Sequence, residues 1–471
     1  MNRNTFIKNT SILSAGLLLS RLPAFADTTY PIVRVAKGKR NFKSTAIESA
    51  ISEFQANVKD KELGWLFNNC FPNTLDTTVT YKIKDGRPDT YVITGDIDAM
   101  WLRDSSAQVW PYLRFVKKDK ELQQLICGVI NRQTACVLLD PYANAFYDDP
   151  TKISPWKNDL TEMKPGVHER KWELDSLCYT IRLAHGYWQL TGDTAPFDAR
   201  WKQAIAMILK TFKEQQRKNG NGPYHYQRKY DQHPEGWPAN PYGPPIKPVG
   251  LICSSARPSD DVTTYSFHIP SNFFAVASMR QAANMINAIS GDKTLTHEFN
   301  ALANEVEMAL KTYAIYEHKD YGKIYAYEIN GLGDYNIMDD ANIPSLLSLP
   351  YLDAMPNTDP IYQNTRKAML STANPYFCNG TVGEGIGGPH AGKDMIWPLG
   401  VITRGMTSRD DQEIKQCIAL LKKSNAGTGF IHEAFNKDDP SKFTRKWFAW
   451  ANTLFGEFIW ETYKTNPKLL T

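Results

Sequence analysis

The chain lacks the residue patterns that mark several common chemistries. Its seven cysteines, Cys70, Cys127, Cys136, Cys178, Cys253, Cys378 and Cys417, are scattered and nowhere spaced as CxxC. That argues against a zinc site or a redox pair. The nine histidines include no HExxH and no other metal-ligand spacing, so no metal is expected. A GxSxG nucleophile elbow and a P-loop are both missing. The glycines of GTVGEGIGGPH do not form GxGxxG between a strand and a helix, so no nucleotide cofactor is expected. An excess of one charge is missing too. With 54 basic and 50 acidic residues, the chain has no basic field of the kind nucleic-acid binding depends on. Nothing in it calls for an obligate protein partner. Beyond residue 26 no run is apolar enough to cross a bilayer, so no membrane anchor is expected.

What the chain does have is length and aromatic side chains. Its 471 residues, 42% of them hydrophobic, suffice for one large core. Aromatics make up 12%, including 12 Trp and 23 Tyr. At the start, Arg3 and Lys8 precede the apolar run Ile12 to Leu19, and Ala24-Phe25-Ala26 supplies small residues for cleavage. This order reads as a secretory signal peptide over residues 1–26, with 27–471 as one mature domain, exported to the periplasm or beyond. Export permits disulfides, but the spacing pairs none of the cysteines.

Helical periodicity dominates. Apolar stripes run through Ile47, Ile51 and Phe54, through Leu122, Leu125, Ile126 and Val129, and through Trp201, Ile205, Ile208 and Phe212. Others follow at Phe299, Leu302, Val306 and Leu310, at Ile414, Cys417, Ile418 and Leu421, and at Trp447, Ala451, Leu454 and Phe458. Weaker segments near 104–117, 172–192, 271–290, 342–350, 359–373 and 395–405 bring the expectation to about a dozen helices. Strand signals are few: a hairpin from Val79 to Ile93 turning at Asp85-Gly86, and a short ribbon from Ile324 to Ile329 before Asn330-Gly331. An all-α toroid of helical hairpins with small β-hairpin insertions is expected. The stretch from Asn219 to Pro270, rich in Gly, Pro, Tyr and Trp, reads as an ordered loop that carries a site.

Three polar clusters stand out. TGDIDAMWLRDSSAQVWPYL (Thr94 to Leu113) holds Asp98, Trp101, Arg103 and Asp104 at a strand–helix junction. Carboxylates and Arg suit sugar hydroxyls, and Trp suits the apolar face of a pyranose. Asp104 alone is equally explained as a cap for a helix starting at Ser105. RPSDDVTTYSFHIPSN (Arg257 to Asn272) contains Asp260 and Asp261, adjacent acids whose mutual repulsion suits a general acid, or an ordinary turn. In the third, Glu433 lies among Phe430, Ile431 and Phe435, where a carboxylate needs a task or a partner. Softer candidates are Asp340 and Asn342, Glu173 and Asp175, and His390. Two separated carboxylates in a protein rich in Trp, Tyr, Asp and Asn point to glycoside hydrolysis.

These stretches, with MDDANIPSLLSLPYL, IWPLGVITRGMTS, GFIHEAFN and WFAWANTLFGEFI, together resemble glycoside hydrolase family 125. The resemblance runs from about Ile47 to Tyr463. The family comprises metal-independent exo-α-1,6-mannosidases, so it implies an (α/α)6 barrel, a mannose-containing oligosaccharide as substrate, and inversion. It implies Asp260 as the general acid, with Asp261 as its rival, and Glu433 as the general base. Arg103 and Asp104 are then expected to grip the terminal mannose, with His268, Asn342 and His432 as further pocket residues. Inversion predicts the two carboxyl groups roughly 6.5–9.5 Å apart, leaving room for water. Two other readings fit the residues. One is a different (α/α)6 hydrolase of the glucoamylase kind. The other is a glycan-binding protein without catalysis, which would have no use for acids at Asp260 and Glu433.

Overall fold

Helix is the commonest regular structure in the computed structural model, which describes residues 30–470. The signal-peptide segment, residues 1–26, lies outside the described residues. Val33–Thr471 forms one unit by its internal contacts, and thirteen α-helices are found among the described residues. The expected stripes are its core: Ile47, Ile51, Phe54, Trp201, Ile205, Ile208, Phe212, Phe299, Leu302 and Val306 are all buried.

Five helices form an inner set: Leu102–Val109, Leu174–Thr191, Ile269–Ile289, Pro398–Met406 and Ala449–Thr465. The first packs on the second and the second on the third, while the fourth packs on the fifth and the fifth returns to the first. Outside them, Lys293–Tyr313 lies along Ile269–Ile289, Asp411–Lys423 along Pro398–Met406, and Lys61–Cys70 along Ala449–Thr465. Where Pro398–Met406 meets Ala449–Thr465, a Cβ on Gly405 would strike the Phe458 ring, so only glycine lets the two backbones come this close.

The helix expected at 342–350 is absent, and residues 339–352 run as successive turns between the third and fourth inner helices. Side chains there satisfy the backbone locally and so compete with a helix. Asp339 accepts from the Leu346 and Leu347 amides at 2.8 and 3.0 Å, and Ser345 and Ser348 exchange bonds at 2.8 and 3.1 Å. The turns are locked to their neighbours. Tyr179 Oη donates to the Ile343 carbonyl, Arg182 to that of Tyr351, and the Tyr351 hydroxyl to Glu457, at 3.0, 3.0 and 2.9 Å. The buried Asp339 carboxyl is pushed up to about 8 by burial, against its backbone hydrogen bonds.

Strands are short and, among the described residues, form seven sheets of two or three strands. The hairpin pairs Val79–Lys84 with Arg87–Val92 as expected, with Asp85 and Gly86 at positive φ in the turn. The ribbon near 324–329 divides in two. Gly322–Tyr325 pairs back onto Ile315–His318, whereas Glu328–Ile329 joins Tyr335–Asn336 and Phe267–His268. Two-residue strands lead directly into three inner helices: Met100–Trp101, Phe267–His268 and Met395–Ile396. The chain thus changes from strand to helix repeatedly at one end of the inner set. No helix among the described residues is long and apolar enough to cross a membrane. All seven cysteines are unpaired, six of them buried and Cys378 half-buried.

Candidate active site

Trp101 precedes the helix Leu102–Val109, so Arg103 and Asp104 lie in its first turn. The expected cap role of Asp104 does not hold, because Trp101 occupies the N-cap position. Asp175 occupies the first turn of Leu174–Thr191, and Trp450 that of Ala449–Thr465. Helix N-termini carry partial positive charge, which lowers the cost of gathering carboxylates there by about 0.3–1 kcal/mol each.

A small cleft opens at this end. Its walls include Trp101, Arg103, Asp104, Asp260, Asn342, Glu433, His390, Trp397, Arg445, Phe448 and Trp450. The indole N–H groups of Trp101, Trp397 and Trp450 have no protein hydrogen-bond partner. The cleft thus combines aromatic faces, unsatisfied donors and carboxylates, the mix a sugar ring requires.

Asp260 reaches the cleft through its backbone. Its φ of +70° is left-handed, uncommon for a residue with a Cβ. The turn is closed by the Asp260 amide on the Arg257 carbonyl at 2.9 Å and the Arg257 amide on the Asp261 carbonyl at 2.7 Å. Outside, Arg257 Nε is anchored on the buried Glu328 at 2.7 Å. On the inner side, Lys171 Nζ donates to the Asp260 carbonyl at 2.9 Å. The amides of Ser255 and Ala256 donate to the Trp172 carbonyl at 3.1 and 3.2 Å. The long loop is thereby fixed to the start of Leu174–Thr191. The Asp260 side chain is a third exposed and lies 3.6 Å from Arg103 Nη2. Burial acts to raise its carboxyl, but Lys171 and Arg103 outweigh this and hold it below the usual range.

Asp261 points elsewhere. Its Oδ1 lies 3.4 Å from His390 Nδ1. Burial alone would lower His390, yet Asp261 holds it above its ordinary value. Asp260 also lines a second groove with Lys171, Tyr226, Tyr230, Trp237 and Asp261. It therefore stands between that groove and the main cleft.

Glu433 lies on the cleft wall, its side chain 10% exposed, and accepts from Arg445 Nη1 at 3.4 Å. Arg445 is held by Asp96 Oδ1 at 2.9 Å from Nε and by Thr94 Oγ1 at 3.1 Å from Nη2. It also lies 4.6 Å over the Phe448 ring. A Cβ on Gly95, at φ +131°, would collide with the Trp447 carbonyl, so glycine is required where these two segments meet.

Of the residues expected in the pocket, Trp101, Arg103, Asp104, Asn342, Asp260 and Glu433 come together. Asp98 does not: its side chain is 67% exposed and paired with Lys152. Nor does His268, which is fully buried and caps Ile269–Ile289 through Nδ1. Burial drives its ring far below its ordinary value. His432 stacks on Phe443 at 3.6 Å and meets the Arg445 carbonyl at 3.3 Å, so it supports Arg445 from outside the cleft. Arg445 and Trp450 escaped the sequence reading, although Trp450 lies inside a quoted stretch and Arg445 two residues before it. Among the described residues, no group of three or more His, Cys, Asp or Glu side chains is placed to hold a metal ion.

The profile of the metal-independent α-mannosidases, family GH125, matches residues 60–460. The chain is 39% identical to the meiotically up-regulated gene 157 protein of Schizosaccharomyces pombe, over 95% of this chain and 91% of that protein. It is also similar to a metal-independent α-mannosidase from Streptococcus pneumoniae, solved as a non-productive complex with α-1,6-mannobiose. That match has 37% identity and a TM-score of 0.86, and covers 90% of this chain and all of the other. With a family match over most of its length and similarity to a solved member across nearly the whole fold, the chain belongs to glycoside hydrolase family 125, the metal-independent α-mannosidases.

Proposed function

We propose that this protein is an exo-acting α-1,6-mannosidase that removes terminal mannose from N-glycan or mannan chains with inversion of configuration. Asp260 is the general acid and Glu433 the general base. The observation that carries this reading is the position of Asp260 between two spaces, with Glu433 on the wall of only one of them. The terminal mannose fills the main cleft and the rest of the glycan lies in the groove beyond Asp260. The bond to be cut then passes beside the Asp260 carboxyl, while Glu433 activates water on the other face of the sugar. Asp261 faces His390 and the outer groove, which favours Asp260 over its neighbour as the acid. Arg103, Asp104 and Asn342 bind mannose hydroxyls, and the aromatic walls take its apolar face.

The wider reading follows. The ring of inner helices with outer partners supports an (α/α)6 barrel, with the turns of 339–352 standing in for one inner helix. The basic, apolar and small-residue order of the first 26 residues supports export and cleavage, leaving 27–471 as the catalytic domain.

Proton NMR of the protein acting on α-1,6-mannobiose with EDTA present tests the reading. β-Mannose is expected as the first product. First appearance of α-mannose would refute inversion. An intact substrate would move weight to another linkage or to a protein that only binds glycans, and cleavage of maltose instead would favour the glucoamylase-like reading.

A further inference from the structure

The groove beyond Asp260 has a β-hairpin for one wall. Arg228–Tyr230 pairs with His233–Trp237, and Trp237 lies directly across the ladder from Arg228. Two large aromatic side chains of this hairpin line the groove and also meet water, Tyr230 at 38% and Trp237 at 41% exposure. All twelve tryptophans are among the described residues, and Trp237 alone of them is exposed. The His233 ring stacks on the indole at 4.9 Å and 27°, which covers and steadies one face. Open space continues past Trp237. A neighbouring groove, walled by Asn336, Met338 and Tyr376, shares Trp237, Asp261 and Val262 with the first, whereas Asp260 lines only the first. Outward from the acid, Trp237 therefore stands where one groove gives way to the next.

The hairpin is fixed to the same carboxylate as the acid. Arg228 is buried at its base, where Nε donates to Asp159 at 2.8 Å and Nη2 to Glu169 at 2.8 Å. Its guanidinium also lies 3.6 Å over the Trp156 ring. Glu169 meets Lys171 Nζ at 3.3 Å, and Lys171 donates to the Asp260 carbonyl. A buried polar chain thus runs from the ladder partner of Trp237 to the backbone of Asp260. Gln227 Nε2 ties down the chain after Trp237 by donating to the Pro238 and Ala239 carbonyls at 3.0 and 2.9 Å. Gln227 and Leu160 exchange backbone bonds at 3.3 and 2.8 Å. The indole is held at a set place relative to the acid, and a surface arranged before binding loses little freedom on contact.

We propose that Trp237 is a stacking platform for the second sugar beyond the bond to be cut, so that the enzyme prefers chains of three or more mannose units. This rests on the reading of Asp260 as the general acid at the mouth of the groove. The first sugar beyond the bond lies beside Asp260, Lys171 and Tyr226. The second reaches the junction of the two grooves, where the apolar C–H face of its ring meets the indole. An exposed ring suits that place. The departing glycan must dissociate at every turnover, and stacking without charge pairing selects for length while leaving an easy exit. The terminal mannose instead enters the walled cleft, where Arg103 and Asp104 supply charge.

The test compares initial rates on linear α-1,6-mannotriose and α-1,6-mannobiose. In wild-type protein kcat/KM should be about five- to tenfold higher on the trisaccharide, the worth of one aromatic contact. Trp237→Ala should bring that ratio near one, and Trp237→Tyr should keep most of it. The loss on the trisaccharide should lie in KM with kcat kept, because a contact so far from the bond is made equally before and during its cleavage. Equal rates on both sugars in wild type, or equal losses on both in Trp237→Ala, would overturn the proposal. If Trp237→Ala does not fold, calorimetry on Glu433→Gln serves instead. The trisaccharide should bind that protein about fivefold tighter than the disaccharide, and equal affinities overturn the proposal. Wild-type protein that cleaves neither sugar removes the mannosidase reading and this proposal with it, whereas cleavage of both without a preference for length removes only the role of Trp237.

Discussion

Glu433→Gln should lower kcat on α-1,6-mannobiose by about 10²–10⁴-fold, the usual worth of a positioned general base. KM and the affinity for free mannose should change little. Gln fills the same volume and still accepts from Arg445, which bonds Oε1 in the native site. The cleft walls therefore stay in place, and only the ability to take a proton from water is lost. Because attack by water is needed whatever the leaving group, dinitrophenyl mannoside should suffer as much as mannobiose. Calorimetry with mannose and initial rates on both substrates suffice, and undiminished turnover would remove Glu433 from the mechanism.

Arg103→Met should be the most destabilising single change near the cleft, costing about 3–5 kcal/mol at neutral pH. The guanidinium is buried between Glu173 and Asp175 and within 3.6 Å of Asp104 and Asp260. Met replaces its bulk but leaves those carboxyls without their shared cation. Each then moves up in the folded state: Asp104, already pushed by burial to about 6 against the pull of Arg103, rises higher still. A carboxyl whose folded pKa lies above its unfolded value binds a proton on folding. The penalty is thus complete above the raised folded pKa and is relieved as pH falls toward the unfolded value. Thermal midpoints at several pH values should show the gap between wild type and variant narrowing from pH 8 to pH 5. A gap that is small at neutral pH, or that widens on acidification, would contradict this account of the cluster.

Much of the helical layout was legible because burial imposes a period on apolar side chains, as in Trp201, Ile205, Ile208 and Phe212. At 342–350 the same apolar content misled, since Asp339, Ser345 and Ser348 bind the backbone that a helix would have used. In the site, residues beside a strand–helix junction were readable: Trp101, Arg103 and Asp104 all face the cleft. His268 and His432 misled because a histidine that caps a helix or stacks on a ring looks in sequence like one that binds a ligand. Arg445 was missed because its partner Asp96 is 349 positions away. No local pattern records a pairing that only chain closure creates. Asp260 was singled out from Asp261 only through a resemblance, and what separates them in space, a left-handed φ and a lysine beneath the carbonyl, leaves no trace in composition.

The unpaired thiols have a use beyond packing. Buried sulfhydryls are protected from alkylation until the segment that covers them opens, and their rate of labelling measures that opening. Cys70, Cys127, Cys178 and Cys417 lie on four different helices, Lys61–Cys70, Lys120–Leu139, Leu174–Thr191 and Asp411–Lys423, while half-buried Cys378 sits on a strand. The native sequence thus carries its own set of reporters around the molecule. Mass-resolved alkylation during mild denaturation would rank these sectors by how early they come apart, with Cys378 modified first and no engineered probe required.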